Sequence, residues 1–208
     1  MVRAWIADIS PLCETECYER YYERVPDFRK KKADKLCLAG MKAQSVGVWV
    51  LWQKVREQYG LSEDAVFNLS HSGSYAMCAA EVGGTRARVG CDVEQIGALR
   101  LNIARRYFCT EEYQTILEEH SEEKRTELFY RYWVLKESFM KATGKGMALP
   151  ADQFCIQIGE PPILVRQPEE FPEKYYYCEY QLKDVPYRMA VCTTDEEIDT
   201  ELHTELTL

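Results

Sequence analysis

The chain has 208 residues, of which 46% are apolar, and a formal net charge of -8. This length and apolar content can fill one large core or two small ones, so global disorder is excluded. The negative charge argues against a general nucleic-acid binder, and no apolar run reaches the roughly eighteen residues of a membrane span. Residues Met1 to Asp8 do not resemble a signal peptide. These features predict a cytoplasmic protein that binds neither nucleic acid nor membranes.

The nine cysteines are scattered along the chain, and none forms a C-x-x-C pair. The two closest in sequence are Cys13 and Cys17. An odd count without metal-ligand spacing predicts reduced, mostly buried thiols rather than a disulfide framework or a zinc site.

The first part of the chain is predicted to run from a strand through helices to short strands. Arg3 to Ile9 is typical of a strand, and Pro26 to Tyr59 is predicted to be mainly helical. The basic run Arg29-Lys30-Lys31-Lys32 lies in this helical stretch, where such a run is more often a solvated face than a site. Three short apolar strands are predicted next, with Gly83-Gly84 as a tight hairpin turn between the last two: Val66 to Leu69, Tyr75 to Val82 and Arg86 to Val93.

The second part of the chain returns to helices and then to strands. Its predicted helices are Leu101 to Phe108, one that begins with Thr110 as N-cap, and a long one from about Glu123 to Thr143 that Gly144 and Gly146 end. The strands that follow are predicted at Gln153 to Ile158, Tyr175 to Leu182 and Tyr187 to Thr193. From Asp195 the sequence is acidic and aperiodic, which predicts a frayed tail.

Each part therefore passes from helices to antiparallel hairpins. Tyr75-Ala-Met-Cys in the first is weakly echoed by Tyr187-Arg-Met-Ala-Val-Cys in the second. We predict an α+β fold of two similar halves, each an antiparallel sheet packed with helices. The halves are predicted at residues 1–97 and 98–194, followed by a flexible acidic tail at 195–208.

The segment Gly90-Cys91-Asp92-Val93-Glu94 brings two acidic side chains together. Alternate residues of a strand share a face, so Asp92 and Glu94 point one way while Cys91 and Val93 point the other. If these carboxylates are close and partly buried, one should be protonated or a cation should lie between them. The alternative is an exposed strand end with solvated acids.

The long helix carries a third acidic side chain near apolar neighbours. Its core stripe is predicted to consist of Leu128, Tyr132, Leu135 and Phe139. Trp133, Glu137 and Lys141 lie four residues apart on another stripe. A surface Glu-to-Lys pair is the simplest interpretation of this spacing. The nearby Trp133 and Met140 are unusual on a fully solvated face, however, and Glu137 could complete a magnesium site.

The segment Asn68-Leu69-Ser70-His71-Ser72-Gly73 ends a predicted strand with two hydroxyls and an imidazole. A histidine at a strand end is more often structural, but these groups could bind phosphate through hydrogen bonds. The G-x-S-x-G elbow of serine hydrolases is absent, and Thr143-Gly-Lys-Gly does not match a P-loop.

Taken together, these segments and Arg106-Tyr-Phe-Cys-Thr-Glu-Glu-Tyr resemble, in order and spacing, the 4'-phosphopantetheinyl transferases of the surfactin-synthetase-activating type. The resemblance covers about Val66 to Pro150 and implies a monomeric pseudo-dimer with coenzyme A in the cleft between its halves. It also implies transfer of the 4'-phosphopantetheine arm to a serine of an apo acyl or peptidyl carrier protein. Such carriers serve fatty-acid, polyketide and nonribosomal-peptide synthesis.

The resemblance also implies roles for individual residues. Asp92, Glu94 and Glu137 would hold Mg2+ or Mn2+, and Lys141 would neutralise pyrophosphate charge. Ser70, His71 and Lys31 would bind the phosphates of coenzyme A. The base that deprotonates the carrier serine would be Glu137 or Glu112, although an acid at position 112 also suits the helix dipole. The carrier would dock near Leu101, Arg105 and Arg106.

Two other functions remain open from the sequence. One is an inactive module that binds coenzyme A or a nucleotide, and the other is a magnesium-dependent nucleotide pyrophosphatase that uses water as nucleophile. The chain also departs from many members of the family, because no Gly-Lys-Pro segment precedes the histidine motif. Tyr59 to Phe67 leads directly into Asn68.

Overall fold

The structure, a computed structural model, describes all residues 1–208 and has the predicted α+β architecture. Its strands are β1 (Val2–Asp8), β2 (Phe67–Ser72), β3 (Tyr75–Glu81), β4 (Val89–Gln95), β5 (Cys155–Gln157), β6 (Ile163–Arg166), β7 (Tyr176–Tyr180), β8 (Tyr187–Thr193) and β9 (Ile198–His203). Its α-helices are α1 (Thr15–Tyr22), α2 (Asp27–Asp34), α3 (Ala39–Tyr59), α4 (Leu101–Tyr107), α5 (Thr110–Glu118) and α6 (Glu122–Ala142). No helix combines the length and the apolar character needed to cross a membrane.

The first sheet has the strand order β2-β3-β1-β9, and α3 covers one of its faces. The buried side chains of α3, including Leu51, Trp52 and Val55, pack against Trp5 and the alanines of β3. Gly60 ends this helix in the left-handed conformation, with φ of 61°. Burial of the apolar face of α3 therefore fixes β3 and its neighbour β2, which carries the histidine motif.

The second sheet has the order β4-β8-β7, and α6 lies across it. Of the predicted core stripe of α6, Tyr132, Leu135 and Phe139 are buried and Leu128 is half-buried. Gly90 allows α6 to approach β4 closely, because a Cβ atom there would lie 2.0 Å from the Ser138 carbonyl oxygen. The helix and the strand that carry the predicted acidic residues are thus in direct backbone contact.

The two sheets pack against each other through a shared apolar cluster that includes Met77 and Met189. The echo noted in the sequence falls at this contact, where the rings of Tyr75 and Tyr187 meet edge to face, with centroids 4.9 Å apart. Each sheet is covered by one long helix, α3 or α6, which is the arrangement expected of two similar halves. The pseudo-dimer itself stays a prediction.

The predicted hairpin at Gly83-Gly84 is wrong. Strand β3 pairs with β1 on one edge and β2 on the other, so it has no free edge for β4. Strand β4 instead pairs with β8 in the second sheet, and the tight hairpin lies between β2 and β3, where Gly73 has a φ of 53°. Strands β1 to β3 therefore belong to the first sheet and β4 to the second, and the division of the chain into halves at residue 97 stays a prediction.

The segment after Asp195 is an ordered strand and not the frayed tail that its composition predicts. Strand β9 pairs in parallel with β1, and Ile198 and Leu202 pack on the shared apolar cluster. Arg3 Nε lies 3.1 Å from the Asp199 carboxylate. Burial disfavours the Asp199 carboxylate, but the Glu201 backbone N–H, His203 and Arg3 outweigh it and lower the pKa of this group. The many acidic residues conceal the alternation of a strand in the sequence.

The prediction of reduced, mostly buried thiols is wrong for one pair of cysteines, whereas five of the nine cysteines are buried as predicted. Cys109 and Cys155 form a disulfide, with their Cα atoms 5.9 Å apart. Of the seven free cysteines, only three are buried, namely Cys78, Cys91 and Cys192. The fold brings the paired cysteines together from opposite ends of a long segment, and sequence spacing gives no sign of such pairing.

Candidate active site

Strands β2 and β4 lie side by side where the two sheets meet, but they are joined through side chains and not by a backbone ladder. Every second side chain of β2 offers an oxygen to a backbone N–H group of β4. The acceptors Asn68 Oδ1, Ser70 Oγ and Ser72 Oγ lie 3.1, 3.4 and 3.1 Å from the backbone nitrogens of Cys91, Val93 and Gln95, respectively. We call this row the β2–β4 seam. It places the hydroxyls of β2 directly beside the acidic residues of β4.

Asp92 is the buried centre of the site, with 3% of its surface exposed. Its Oδ1 accepts hydrogen bonds from Ser70 Oγ and Lys141 Nζ, each at 2.7 Å. Its Oδ2 is buried and has no hydrogen-bond partner. Since an unpartnered buried carboxylate oxygen is costly, this atom is suited to a ligand such as a metal ion.

Lys141 links the helix to the seam. Its Nζ also donates to the Cys91 carbonyl and to Ser70 Oγ, both at 3.0 Å. Burial works against the charged amine, but the Asp92 carboxylate, the Cys91 thiol and the Glu137 carboxylate favour it and raise the pKa of Lys141. Lys141 therefore stays a cation within the site.

Glu94 and Glu137 are half-buried and close enough to Asp92 to be affected by its charge. Glu94 Oε2 accepts a hydrogen bond from Ser72 Oγ at 2.8 Å. Burial and the negative charge of Asp92 raise the pKa of both glutamates. Three carboxylates against one lysine leave an excess of negative charge, and oxygen donors with this excess fit a divalent cation. The charges of the three predicted metal ligands thus act on one another, although their oxygens do not all lie within 4.8 Å of one another.

His71 lies at the opposite face of β2 from Ser70, as the strand alternation predicts, and its ring is accessible to solvent. The pKa of His71 is lowered by desolvation among the surrounding protein atoms and then by the positive charges of Lys141, Lys32 and Arg29. These cations come from two elements, so the imidazole faces a strongly positive region. An anion is the ligand that such a region favours.

The basic run contributes to this region through residues other than the one singled out from the sequence. Arg29 and Lys32 are three positions apart on α2 and both act on His71, whereas Lys31, which is exposed like Lys32, is not among the main charges that act on it. The Arg29 guanidinium lies 4.7 Å from the Trp49 ring centroid, and its Nε is buried without a partner. Helical periodicity within the basic run was the available signal for this pair.

Glu112 has a structural position instead of a place beside the carboxylates. It is 1% exposed, and its oxygens accept backbone N–H groups of Cys109 and Ile156 at 3.0 and 2.8 Å. Lys136 Nζ lies 2.8 Å from the same carboxylate. Both oxygens are occupied by these partners, so Glu112 is not free to take a proton from an incoming hydroxyl.

Two cavities flank Trp133 and open beside the acidic residues. One, of about 450 Å³, is lined by Glu94, Arg100 and Trp133 among others. The other, of about 200 Å³, is largely apolar and is lined by Trp133, Glu137 and Met147 among others. A substrate can therefore reach Glu94 and Glu137 from solvent.

The helix α4, where the sequence predicts carrier docking, borders the first cavity through Ile103. Arg105 and Arg106 are exposed on it, and Leu101 is half-buried. These side chains form a basic and partly apolar surface next to the site.

Residues 88–192 match the family model described as the 4'-phosphopantetheinyl transferase superfamily. The chain belongs to this superfamily. The match begins at β4 and includes the acidic residues of β4 and α6. Superfamily membership and the predicted resemblance therefore agree.

Named members of the superfamily are similar over the larger part of this chain. The 4'-phosphopantetheinyl transferase Sfp of Bacillus subtilis is 34% identical over 144 residues, which is 67% of this chain and 59% of that protein. The 4'-phosphopantetheinyl transferase gsp of Aneurinibacillus migulanus is 31% identical over 130 residues, which is 56% of this chain and 53% of that protein. The chain thus spans just over half of the length of these relatives.

Among solved structures, the holo-[acyl-carrier-protein] synthase of Thermotoga maritima is 20% identical, with a TM-score of 0.43, over 50% of this chain and 61% of that one. A holo-(acyl-carrier-protein) synthase from Bacillus anthracis, in complex with coenzyme A, is 17% identical, with a TM-score of 0.41. The match covers 50% of this chain and 92% of that one.

Proposed function

We propose that this protein transfers the 4'-phosphopantetheine group of coenzyme A to a serine hydroxyl of an apo acyl or peptidyl carrier protein. The observation that carries the proposal is the grouping of Asp92, Glu94 and Glu137 around Lys141, beside a cationic region at His71. Superfamily membership and the names of the similar proteins support the same activity.

Asp92, Glu94 and Glu137 are the residues that would hold Mg2+. The free Oδ2 of Asp92 and the raised pKa values of both glutamates support this assignment. A bound magnesium ion would supply positive charge to the pyrophosphate oxygens of coenzyme A. Manganese accepts the same carboxylate donors and could replace it.

The cationic region is proposed to bind the phosphates of coenzyme A. His71, Arg29 and Lys32 converge there, and Arg29 has no carboxylate partner. Lys31 lies on a neighbouring part of α2 and would add only longer-range attraction. Ser70 is buried between Asp92 and Lys141, so we assign it to orienting these two groups at the pyrophosphate.

Glu137 is proposed as the base. Burial and its acidic neighbours raise its pKa, which makes the ionised carboxylate a better proton acceptor. It takes the proton of the carrier serine as the serine oxygen bonds to the β-phosphorus of coenzyme A. The bond from that phosphorus to the oxygen bridging the two phosphates breaks, and adenosine 3',5'-bisphosphate leaves. Lys141 stabilises the negative charge that develops on the pyrophosphate.

The carrier is proposed to dock on α4 through Leu101, Arg105 and Arg106, because this helix borders the cavity at Glu94 through Ile103. Carriers of fatty-acid, polyketide or nonribosomal-peptide synthesis share the required serine. The chain would act as a monomer in the cytoplasm, where its substrate coenzyme A is found. Arg105→Glu with Arg106→Glu should weaken carrier use and leave coenzyme A binding intact.

The test incubates the protein with coenzyme A, Mg2+ and a panel of apo-carriers, and follows the mass of each carrier. A gain of one phosphopantetheine that is lost on chelation and in Glu137→Gln is the expected result. Glu118→Gln, on the exposed part of α5, is the matched control and should retain activity. Release of free phosphopantetheine would instead indicate a pyrophosphatase. Binding of coenzyme A with no gain on any carrier would indicate an inactive binding module.

A further inference from the structure

Three segments of the chain meet next to the proposed active site, at a junction formed by Glu112 and Lys136. The Glu112 carboxylate joins the start of α5 to β5 by accepting the Cys109 and Ile156 backbone N–H groups. Lys136, on α6, contacts this carboxylate and donates to two backbone carbonyls just before β5. Lys136 directly precedes Glu137, so the junction fixes the part of α6 that carries the proposed metal ligand.

The only disulfide spans this same junction. Cys109 is the N-cap of α5, where its sulfur accepts the Glu112 backbone N–H, and Cys155 is the first residue of β5. The two cysteines are 46 positions apart, and the segment between them contains α5 and α6. A bond between them therefore closes a loop that includes both Glu137 and Lys141.

Both cysteines are buried, with 2% of Cys109 and 3% of Cys155 exposed, but Cys155 lines a cavity of about 530 Å³. The ion pair between Arg166 and Glu111, 3.4 Å apart, borders this cavity, and both of its side chains are at least half exposed. Glu111 Oε2 lies 3.8 Å from Cys155 Sγ, so it is placed to accept the hydrogen of a reduced Cys155 thiol. A small reagent can thus approach Cys155 first, while Cys109 lies behind it.

We propose that Cys109 and Cys155 form a reversible modification site for low-molecular-mass disulfides, and that its state sets how firmly the α5–α6 segment holds Glu137. The Cys155 thiolate attacks one sulfur of the reagent disulfide, which releases one thiol and leaves a mixed disulfide. The Cys109 thiolate then attacks the Cys155 sulfur and displaces the second thiol. Two protein thiols are oxidised and one reagent disulfide is reduced to two thiols, so electrons and protons balance.

The site itself is tested without any transferase activity. The full chain is equilibrated in glutathione buffers of graded reduced-to-oxidised ratio, free thiols are trapped by alkylation, and peptides are mapped by mass. We expect Cys109 and Cys155 to change state together. Oxidation should raise the thermal midpoint, measured without Mg2+, by roughly 5–15 °C because the disulfide restricts the unfolded chain. Two cysteines that stay reduced in the most oxidising buffer, or an unchanged midpoint, would overturn the proposal.

Two variants separate the pair from the other cysteines. Cys109→Ser keeps a good helix N-cap, so it should fold and should lose the redox dependence of the thermal midpoint. Cys13→Ser with Cys37→Ser removes two exposed thiols and should retain that dependence. Retention of the redox shift in Cys109→Ser would assign it to other thiols and contradict the proposal.

The effect on Glu137 rests on the proposed function and has its own measurement. In the reduced protein, the Mg2+ concentration for half-maximal carrier modification should rise several-fold, while the KM for the carrier stays constant. Assays are kept short and the thiol state is mapped afterwards, because coenzyme A itself carries a thiol. An unchanged Mg2+ requirement would remove the positioning role and leave the modification site intact. Absence of transfer in both states would count against the proposed function alone.

Discussion

Gly90→Ala is expected to separate the two elements that carry the acidic site. The added Cβ would lie 2.0 Å from the Ser138 carbonyl oxygen and 2.4 Å from the Ala142 backbone nitrogen. Both contacts are with backbone atoms, so no side-chain rotation can relieve them. The helix must retreat from β4 by about 1 Å or more to restore ordinary contact distances. Lys141 lies between the two contact points along α6 and Glu137 directly precedes the first, so both would move with the helix.

The expected consequences are a loss of about 1–3 kcal/mol in the free energy of unfolding and a fall of roughly 10²-fold in kcat/KM for carrier modification. Urea unfolding and carrier mass measurements would give these two values. Gly40→Ala is the matched control, because nothing lies within 4 Å of a Cβ at that helical position. It should be neutral or slightly stabilising. Wild-type stability and kinetics in Gly90→Ala would refute the reasoning.

Glu137→Gln should lower kcat by at least about 10²-fold in the carrier assay. It should leave the thermal midpoint measured without Mg2+ unchanged or raised, because it removes a negative charge that the neighbouring carboxylates repel. A fall in that midpoint would contradict this account. Lys32→Ala should raise the KM for coenzyme A several-fold, while Lys31→Ala should change it less, and equal effects would argue against the assigned orientation of α2. The pKa of Asp199 is lower in the folded protein than its ordinary value of 3.8. Asp199 therefore stabilises the fold at pH values above 3.8, and this contribution is lost as the pH falls through the pKa of the folded state. Urea titrations between about pH 5 and pH 2 should therefore show that the free energy of unfolding falls less steeply with decreasing pH in Asp199→Asn than in the wild type. An equally steep fall in both proteins would show that Asp199 is not its source.

The sequence predicted those elements whose limits are clearly marked. Helix α6 and strand β8 begin and end within a residue of the predicted bounds, because Gly144 and Gly146 follow the end of α6 and β8 is a short, mostly apolar run. Helix α1 and strand β6 were not predicted. Both are short and largely exposed, so burial leaves little trace in their composition.

Pairing between strands was harder to predict than the strands themselves. Gly83-Gly84 indicated a turn, but a turn does not specify whether the next strand joins the same sheet. That choice depended on β1 occupying the free edge of β3, a contact between residues about 75 positions apart. The parallel pairing of β9 with β1 has the same origin, because it joins the two ends of the chain.

The candidate site was predictable where alternation on a strand and four-residue spacing on a helix fix side-chain direction. Asp92, Glu94 and Glu137 follow from these two rules, together with the resemblance that placed them in one site. The buried position of Glu112 could not be read in this way, because its partner Lys136 comes from another helix. The disulfide between Cys109 and Cys155 could not be predicted from the sequence either, since it depends on the path of the whole segment to β5.

The β2–β4 seam has a consequence for how related sequences should be compared. Its side-chain oxygens accept the N–H groups of β4 that backbone carbonyls of a paired strand would otherwise accept. Asn68, Ser70 and Ser72 are therefore needed to connect the two sheets at this edge. A relative that has lost catalysis would still need this pattern in order to fold. The Asn-x-Ser-x-Ser spacing is therefore expected to mark the architecture, whereas the acidic residues and Lys141, by their proposed roles, would distinguish an active enzyme from an inactive one.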